Sequence, residues 1–512
     1  MPKPTLRRAS DGTLTTMHIT FIRPNLGDFR ASDAMEPMVF ALLAARTPAA
    51  VRVDFFDERL AAVPLDHATD LVAMTVETYT ARRAYQIAAH YRRRGIPVVM
   101  GGYHPTLLPD EVARYCDALV IGDAEGVWER LVADARQGRL APVYRQGQGM
   151  APDMAQDAEP GLAGPAPDRS VFAGKRYAPV ALVQYGRGCR LACDFCSIHA
   201  FYGKRMVQRP VADVVAEIAR PPRHRPVFFV DDNLFSDVPT LTRLLEALVP
   251  LRIRWTCQIT IDITRNAPLL ALMARSGCML ALVGFESLSE GNLRQIGKKW
   301  NLARGDYRDG IRKLHDHGIM IYGTFVFGYD EDDPDTFART VDFAIESNFC
   351  IANFNPLTPT PGTALMARLR AEGRLLHERW WLDPRYRYGE ATFVPRRMSP
   401  EQLSAGCWEA RQSFYRYGAM ARRLWGEPAL YARPTRLGVL LASNLISRRE
   451  IRRKQGSPLG TNEVLEPREP REPHVGPVAA LAEMPIALPG TWHAGPPLPA
   501  RVANPNPGGA AA

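Results

Sequence analysis

The sequence predicts an α/β chain with an N-terminal doubly wound parallel sheet, a partial (βα)6 barrel and a mostly helical C-terminal region. Three observations carry this. Short Val- and Ile-rich runs alternate with helix-length stretches over residues 15–136. A second alternating series, of longer period, covers residues 178–365. Proline- and glycine-rich segments without periodicity separate and follow these units.

In the first unit, 15–136, strands are expected at His18–Ile22, Val51–Phe56, Asp70–Met74, Val98–Gly101 and Ala118–Ile121, with a helix at Ala81–Arg94. Glycines follow the fourth and fifth strands: Gly101 and Gly102 in "GGYHPT", Gly122 in "GDAEGVWERL". A doubly wound sheet binds ligands beyond its strand ends, and glycine there lets backbone approach a ligand closely. No GxGxxG follows the first strand, which leaves a dinucleotide site unsupported. His104 reads as a hydrogen-bonded turn residue.

Residues 137–177 read as a linker, from their Gly, Pro and Gln content. In the second unit, 178–365, strands are expected at Val180–Tyr185, Val227–Asp231, Arg254–Ile259, Met279–Phe285, Met320–Phe327 and Ile351–Leu357. Helical patterns at Val211–Ala219, Leu241–Leu248, Ala267–Arg275 and Phe337–Glu346 fall between them. Six βα units in one direction place chemistry at the carboxyl ends of the strands.

Residues 366–454 are expected to form a helical C-terminal domain. Within it "RWWLDPRYRYGEATFVP" suits either a substrate pocket or an aromatic core, and "RPTRLGVLLASNLISRREIRRK" reads as a packed helix with a solvated end rather than a membrane-surface helix. Residues 455–512, rich in Pro, Gly and Ala, read as a disordered tail.

Bulk composition narrows the function. The net charge is +10, but the arginines are dispersed, which argues against a nucleic-acid partner. No run of eighteen apolar residues occurs and the N-terminus lacks a signal-like apolar core. Eight cysteines, three of them clustered, suit a reducing, cytoplasmic setting.

Those three are Cys189, Cys193 and Cys196 in "GRGCRLACDFCSIHAFYG", directly after the first strand of the second unit. Zinc would want a fourth ligand, for which His199 is the near candidate, although zinc ligands usually come as separated pairs. A [4Fe–4S] cluster held by three thiolates instead leaves one iron open to a small chelating ligand. The remaining cysteines, Cys116, Cys257, Cys278, Cys350 and Cys407, are scattered and read as buried apolar residues.

CxxxCxxC with Phe195 before the third cysteine resembles the radical S-adenosylmethionine (radical SAM) family, over residues 178–365. The resemblance implies a [4Fe–4S] cluster and S-adenosylmethionine, whose cleavage yields a 5′-deoxyadenosyl radical that takes hydrogen from an unactivated carbon. It also implies a flavodoxin- or ferredoxin-type electron donor. Asp231, Asp232 and Asn233 in "VFFVDDNLF" match places where the family holds the methionine amine or ribose, with a helix N-cap as the alternative. Glu286 and Ser287 in "LVGFESL" end a strand and are expected as ligand contacts, with a solubility role as the alternative. Gly323 and Gly328 in "IYGTFVFGYDED" suit close approach of adenine, with a bulge as the alternative.

The first unit, through "VVMGGYHPTLLPDEV" and "DALVIGDAEGVWERL", resembles the Rossmann-like domain of the cobalamin-binding subclass. One departure stands out: the segment after the first strand, "RPNLGDFRASDAMEP", has no histidine of the D-x-H-x-x-G type. Either cobalt lacks a histidine ligand or cobalamin is not bound. The resemblance implies cobalamin-dependent methylation of an unactivated carbon in a small molecule or lipid. The alternatives are a radical rearrangement, cyclisation or oxidation, and a non-catalytic iron–sulfur or zinc protein.

Overall fold

In the computed structural model, residues 16–145, 164–220, 225–298, 301 and 307–469 are described. The first sheet contains β1 (Met17–Arg23), β2 (Val51–Asp57), β3 (Leu71–Thr75), β4 (Val98–Gly101), β5 (Ala118–Ile121) and β6 (Val143–Arg145). All its pairings are parallel, in the order β2-β1-β3-β4-β5-β6. The order reverses beside β1, which leaves a crevice at the carboxyl ends of the strands. One face packs Phe21, Phe40 and Trp128, and the other packs Tyr85, Tyr91 and Met100. With both faces covered, the strands read as near-continuous apolar runs, as buried parallel strands must.

Next come β7 (Ala181–Val183), a short antiparallel ribbon of β8 (Gly186–Arg187) and β9 (Val207–Gln208), then β10 (Val227–Phe229), β11 (Trp255–Ile259), β12 (Cys278–Glu286), β13 (Met320–Phe327) and β14 (Ile351–Pro356). Apart from the ribbon these strands form a second parallel sheet, ordered β14-β13-β12-β11-β10-β7. Order in space follows order in sequence, with intervening helices such as Val238–Leu248, Ala267–Ser276 and Asp335–Glu346 on the outside. This is the partial barrel expected from the βα rhythm. The cysteine loop leaves its first strand, β7.

Three stretches differ from the sequence reading. The linker reading of 137–177 fails at both ends: Val143–Arg145 completes the first sheet, and Phe172 is buried in its core. Residues 146–163 of that stretch lie outside the described residues. The helices after residue 366 do not form a separate layer, because Leu403, Cys407 and Phe414 of the helix Pro400–Phe414 enter the barrel core. The tail reading fails for 455–469. Leu459 is buried in the first-sheet core, and Gln86 donates to the carbonyls of Thr461 and Glu463. Residues 470–512 lie outside the described residues.

The tryptophan-rich segment proves to be core. Trp380, Trp381 and Tyr386 join the Tyr85 face of the first sheet, and Trp381 Nε1 donates to Glu111 at 3.0 Å. The same carboxylate meets His104 Nε2 at 3.2 Å and Tyr85 OH at 2.9 Å. His104 is therefore a fully buried, hydrogen-bonded turn residue.

Candidate active site

The site begins with the loop after β7. Cys189 and Cys193 are buried, Cys196 is half-buried, and all three are free thiols. Burial pushes the Cys193 thiol up to about 12, against the pull of the Lys298 ammonium. Three unpaired thiols on one short loop are a donor set that fits an iron–sulfur cluster. The other five cysteines are buried elsewhere in the core. His199, the candidate fourth zinc ligand, turns Nδ1 to the Gly203 carbonyl at 3.0 Å.

The loop is held from several directions. Asp231, beyond β10, accepts the Tyr185 N–H at 3.0 Å with one oxygen and the Gly186 N–H with the other. Its neighbour Asp232 accepts the Gly188 N–H at 2.8 Å, where φ is +85°. Burial pushes Asp231 up to about 7, against those backbone donors. Asp194, between the second and third cysteines, accepts from Tyr329 OH at 2.6 Å and from Arg368 at 3.4 Å. Its backbone N–H bonds Ile296, and its carbonyl receives the Leu365 N–H. Three carboxylates, two beyond β10 and one within the loop itself, thus shape the cysteine loop before any ligand arrives.

At the end of β12, Glu286 has φ +64°, a left-handed conformation costly for a residue with a Cβ, at a shift in register. Its Oε1 lies 2.7 Å from Lys298 Nζ, and both side chains are nearly buried. Burial alone would lower Lys298, but the Glu286 and Cys193 charges outweigh it and hold the ammonium above its usual range. A local strain fixed by a buried ion pair next to the thiols is the pattern of a positioned functional residue.

The second feature is a cavity of about 290 Å³ between the two sheets. Gly101, Gly102 and Gly122 line it from the first sheet; Gln184, Arg187 and Asp232 line it from the barrel side. Gly102 has φ +106°, and a Cβ there would lie 2.9 Å from Thr75 Oγ1. Gly122 has φ +82°, and a Cβ there would meet no protein atom within 4 Å. Gly102 is thus small because Thr75 and Val76 pack against it, whereas Gly122 leaves the wall open to backbone approach by a ligand, which fits the cobalamin expectation at the first-sheet face. Arg187 closes one wall, 2.9 Å from Asp123 and paired also with Glu125. Tyr202 OH donates to Asp123 at 2.8 Å.

The expected site residues therefore separate. The three cysteines share one loop, and Asp232, Gly101, Gly102 and Gly122 line the cavity. Asp231 is turned to the backbone of the cysteine loop. Asn233 does cap: its Oδ1 accepts the Phe235 N–H at 3.3 Å, and its Nδ2 lies 3.9 Å from Cys189 Sγ. Ser287 is buried, its Oγ accepting from Ser289 N–H and Asn292 Nδ2. The adenine reading of two glycines is corrected. A Cβ at Gly323 would strike the Phe349 ring at 2.4 Å, and one at Gly328, where φ is +113°, would meet Leu403 and Phe393 at 2.9 Å. Their smallness serves packing inside the barrel and against the C-terminal region. Arg187, Asp123, Asp194, Lys298 and Tyr329 were not singled out from sequence. Only Asp194, a charge inside the cysteine motif, carried a local signal.

The model of the radical SAM superfamily matches residues 183–344. Among curated proteins, the chain is 30% identical to bacteriochlorophyllide d C-12(1)-methyltransferase of Chlorobaculum tepidum, over 77% of this chain and 85% of that protein. It is 27% identical to bacteriochlorophyllide d C-8(2)-methyltransferase of the same organism, over 67% and 78%. Among solved structures, the radical S-adenosylmethionine methyltransferase TsrM of Kitasatospora setae, with cobalamin and a [4Fe–4S] cluster bound, superposes with a TM-score of 0.54 at 17% identity, over 77% of this chain and 82% of that one.

Proposed function

The chain belongs to the radical SAM superfamily, in the family of the bacteriochlorophyllide methyltransferases, and from that premise we propose that it methylates an unactivated carbon of a chlorophyllide-like tetrapyrrole. Cobalamin is the methyl carrier in this reading, and S-adenosylmethionine serves both the radical and the methyl supply. When bound, the cluster with S-adenosylmethionine supplies a hydrogen-abstracting radical, and cobalamin supplies the methyl group.

The observation that carries the reading is the shared wall of one cavity. Backbone glycines at the strand ends of the first sheet face Asp232, which itself holds Gly188, the residue before Cys189. A cofactor on the first sheet and a cluster on the cysteine loop would then address one substrate between them.

The chain's own residues bind, orient and exclude water. Cys189, Cys193 and Cys196 would hold three irons. Asp231, Asp232 and Asp194 fix the loop that presents those thiols. The Lys298 ammonium lies in the field of the thiols and favours their deprotonated, ligating form. Gly122 would let cobalamin lie close on the first sheet, while Arg187 joins that wall to the loop. A cytoplasmic setting and a flavodoxin- or ferredoxin-type electron donor belong to the same reading.

The test is anaerobic reconstitution with iron, sulfide and cobalamin, then reduction with S-adenosylmethionine and a bacteriochlorophyllide. Methylated pigment with S-adenosylhomocysteine and 5′-deoxyadenosine in step supports the proposal. Turnover to 5′-deoxyadenosine with an unmethylated, oxidised or cyclised pigment replaces methyl transfer by other radical chemistry.

A further inference from the structure

We propose that the face formed by the helices Tyr417–Gly426 and Pro434–Lys454 docks the enzyme on an anionic lipid surface. The exposed large apolar side chains of the described residues concentrate here. Trp425 is 78% exposed and Tyr417 64%, and Leu441, Leu445 and Ile446 join them. Isolated exposed apolar residues are ordinary; several large ones on two adjacent helices are not.

The two helices lie alongside each other. Tyr417 stacks under Arg448, 4.5 Å from the guanidinium carbon, while Leu424 packs with Val439 and Leu440. They therefore run antiparallel, and Trp425 comes beside the N-terminal half of the longer helix. That helix buries only Leu440, Asn444 and Glu450. Its opposite stripe reads Gly438, Leu441, Leu445, Arg449 and Arg452, all exposed and spaced three or four residues apart. Apolar groups occupy its first half and cations its second.

Charge selects the partner. Residues 417–454 hold nine Arg and Lys against two acids, Glu427 and Glu450. Glu450 is buried and pairs with Arg453 and Lys454, and Arg423 is fully buried, so the exposed charge rests on the remaining arginines. Arg422, Arg433, Arg449 and Arg452 remain at the surface around the apolar residues. Indole and leucine groups flanked by arginine suit a bilayer headgroup layer of negative charge. No helix among the described residues is long and apolar enough to cross a membrane, so the contact is one of lying on the surface.

Flotation of the reconstituted holoenzyme with vesicles tests this without substrate or S-adenosylmethionine, so its outcome is separate from that of the methyl-transfer reading. Binding to vesicles of phosphatidylcholine with phosphatidylglycerol is expected, at least tenfold tighter than to phosphatidylcholine alone, and weakening as salt is raised. Arg449→Glu with Arg452→Glu, and separately Trp425→Ala with Leu445→Gln, should each cut binding about tenfold or more, with iron content and unfolding midpoint unchanged. Equal binding to neutral vesicles, no binding to anionic ones, or unaltered binding by both variants overturns the proposal. So does a stable dimer that Leu445→Gln dissociates, which would assign the face to a second copy of the chain.

Discussion

The Arg187 guanidinium lies 2.9 Å from the Asp123 carboxylate and joins the β8–β9 ribbon to the first sheet at the wall of the cavity. Arg187 precedes Cys189 by two residues, and Asp123 follows the last residue of β5 by two. The position of the cysteine loop and the position of the first sheet are thus coupled through one nearly buried charge pair, in which Glu125 is the second acceptor.

Arg187→Ala should leave two acids without their main partner. The expected loss is about 3 kcal/mol, toward the lower end for broken buried pairs because Tyr202 and Arg205 still reach Asp123. Denaturant unfolding measures it. Iron content after reconstitution should persist, while cobalamin retention on gel filtration should fall.

Cys193→Ala should abolish cluster assembly and cleavage of S-adenosylmethionine, read as iron content and 5′-deoxyadenosine. Cys257→Ala, at a fully buried core position, should lower stability yet keep the full iron content. Equal iron loss in both variants would contradict the assignment of the three loop thiols.

Glu286 and Lys298 should show strong energetic coupling. Removing either partner strands a buried charge, and each single change, Glu286→Gln or Lys298→Met, should cost about 3 kcal/mol. The double variant should cost less than the two together, by about 1 kcal/mol or more, in a double-mutant unfolding cycle.

Asp231 makes stability depend on pH. Burial raises its folded value to about 7 from 3.8, so the folded chain holds this proton more tightly than the unfolded chain. The resulting stability is present below about pH 4 and lost as pH rises through about 7. Between pH 5 and 8 the wild-type chain should lose more unfolding free energy than Asp231→Asn. Parallel pH profiles of the two would rule this out.

Gly122→Leu should place a side chain where no protein atom lies within 4 Å, in the wall of the cavity. The positive φ adds a cost of about 1 kcal/mol. Cobalamin stoichiometry should drop severalfold while iron content stays constant, as measured by metal analysis for cobalt and iron together.

Much of the fold was legible in the sequence. The strands at Val98–Gly101, Ala118–Ile121 and Met320–Phe327 stand where apolar runs between helix-length segments put them. Buried parallel strands announce themselves locally, because both faces must be apolar. The strand at Val143–Arg145 was not legible. It is three residues long, at a sheet edge, and sits in a glycine- and proline-rich stretch. Chain composition there says loop, while the free edge of β5 says strand.

By itself the sequence determined the three clustered thiols, their place after the first barrel strand and the two parallel units, since spacing and periodicity are properties of neighbouring residues. Tertiary structure alone decided what those residues face. Asp231 turned to the backbone of the cysteine loop, 45 residues away at Gly186, and Gly323 received the Phe349 ring instead of a cofactor. Arg187 found Asp123 across 64 residues. Such partners are chosen by how the elements pack, and a local pattern of residue types records that a side chain is polar or small without recording what will be set against it.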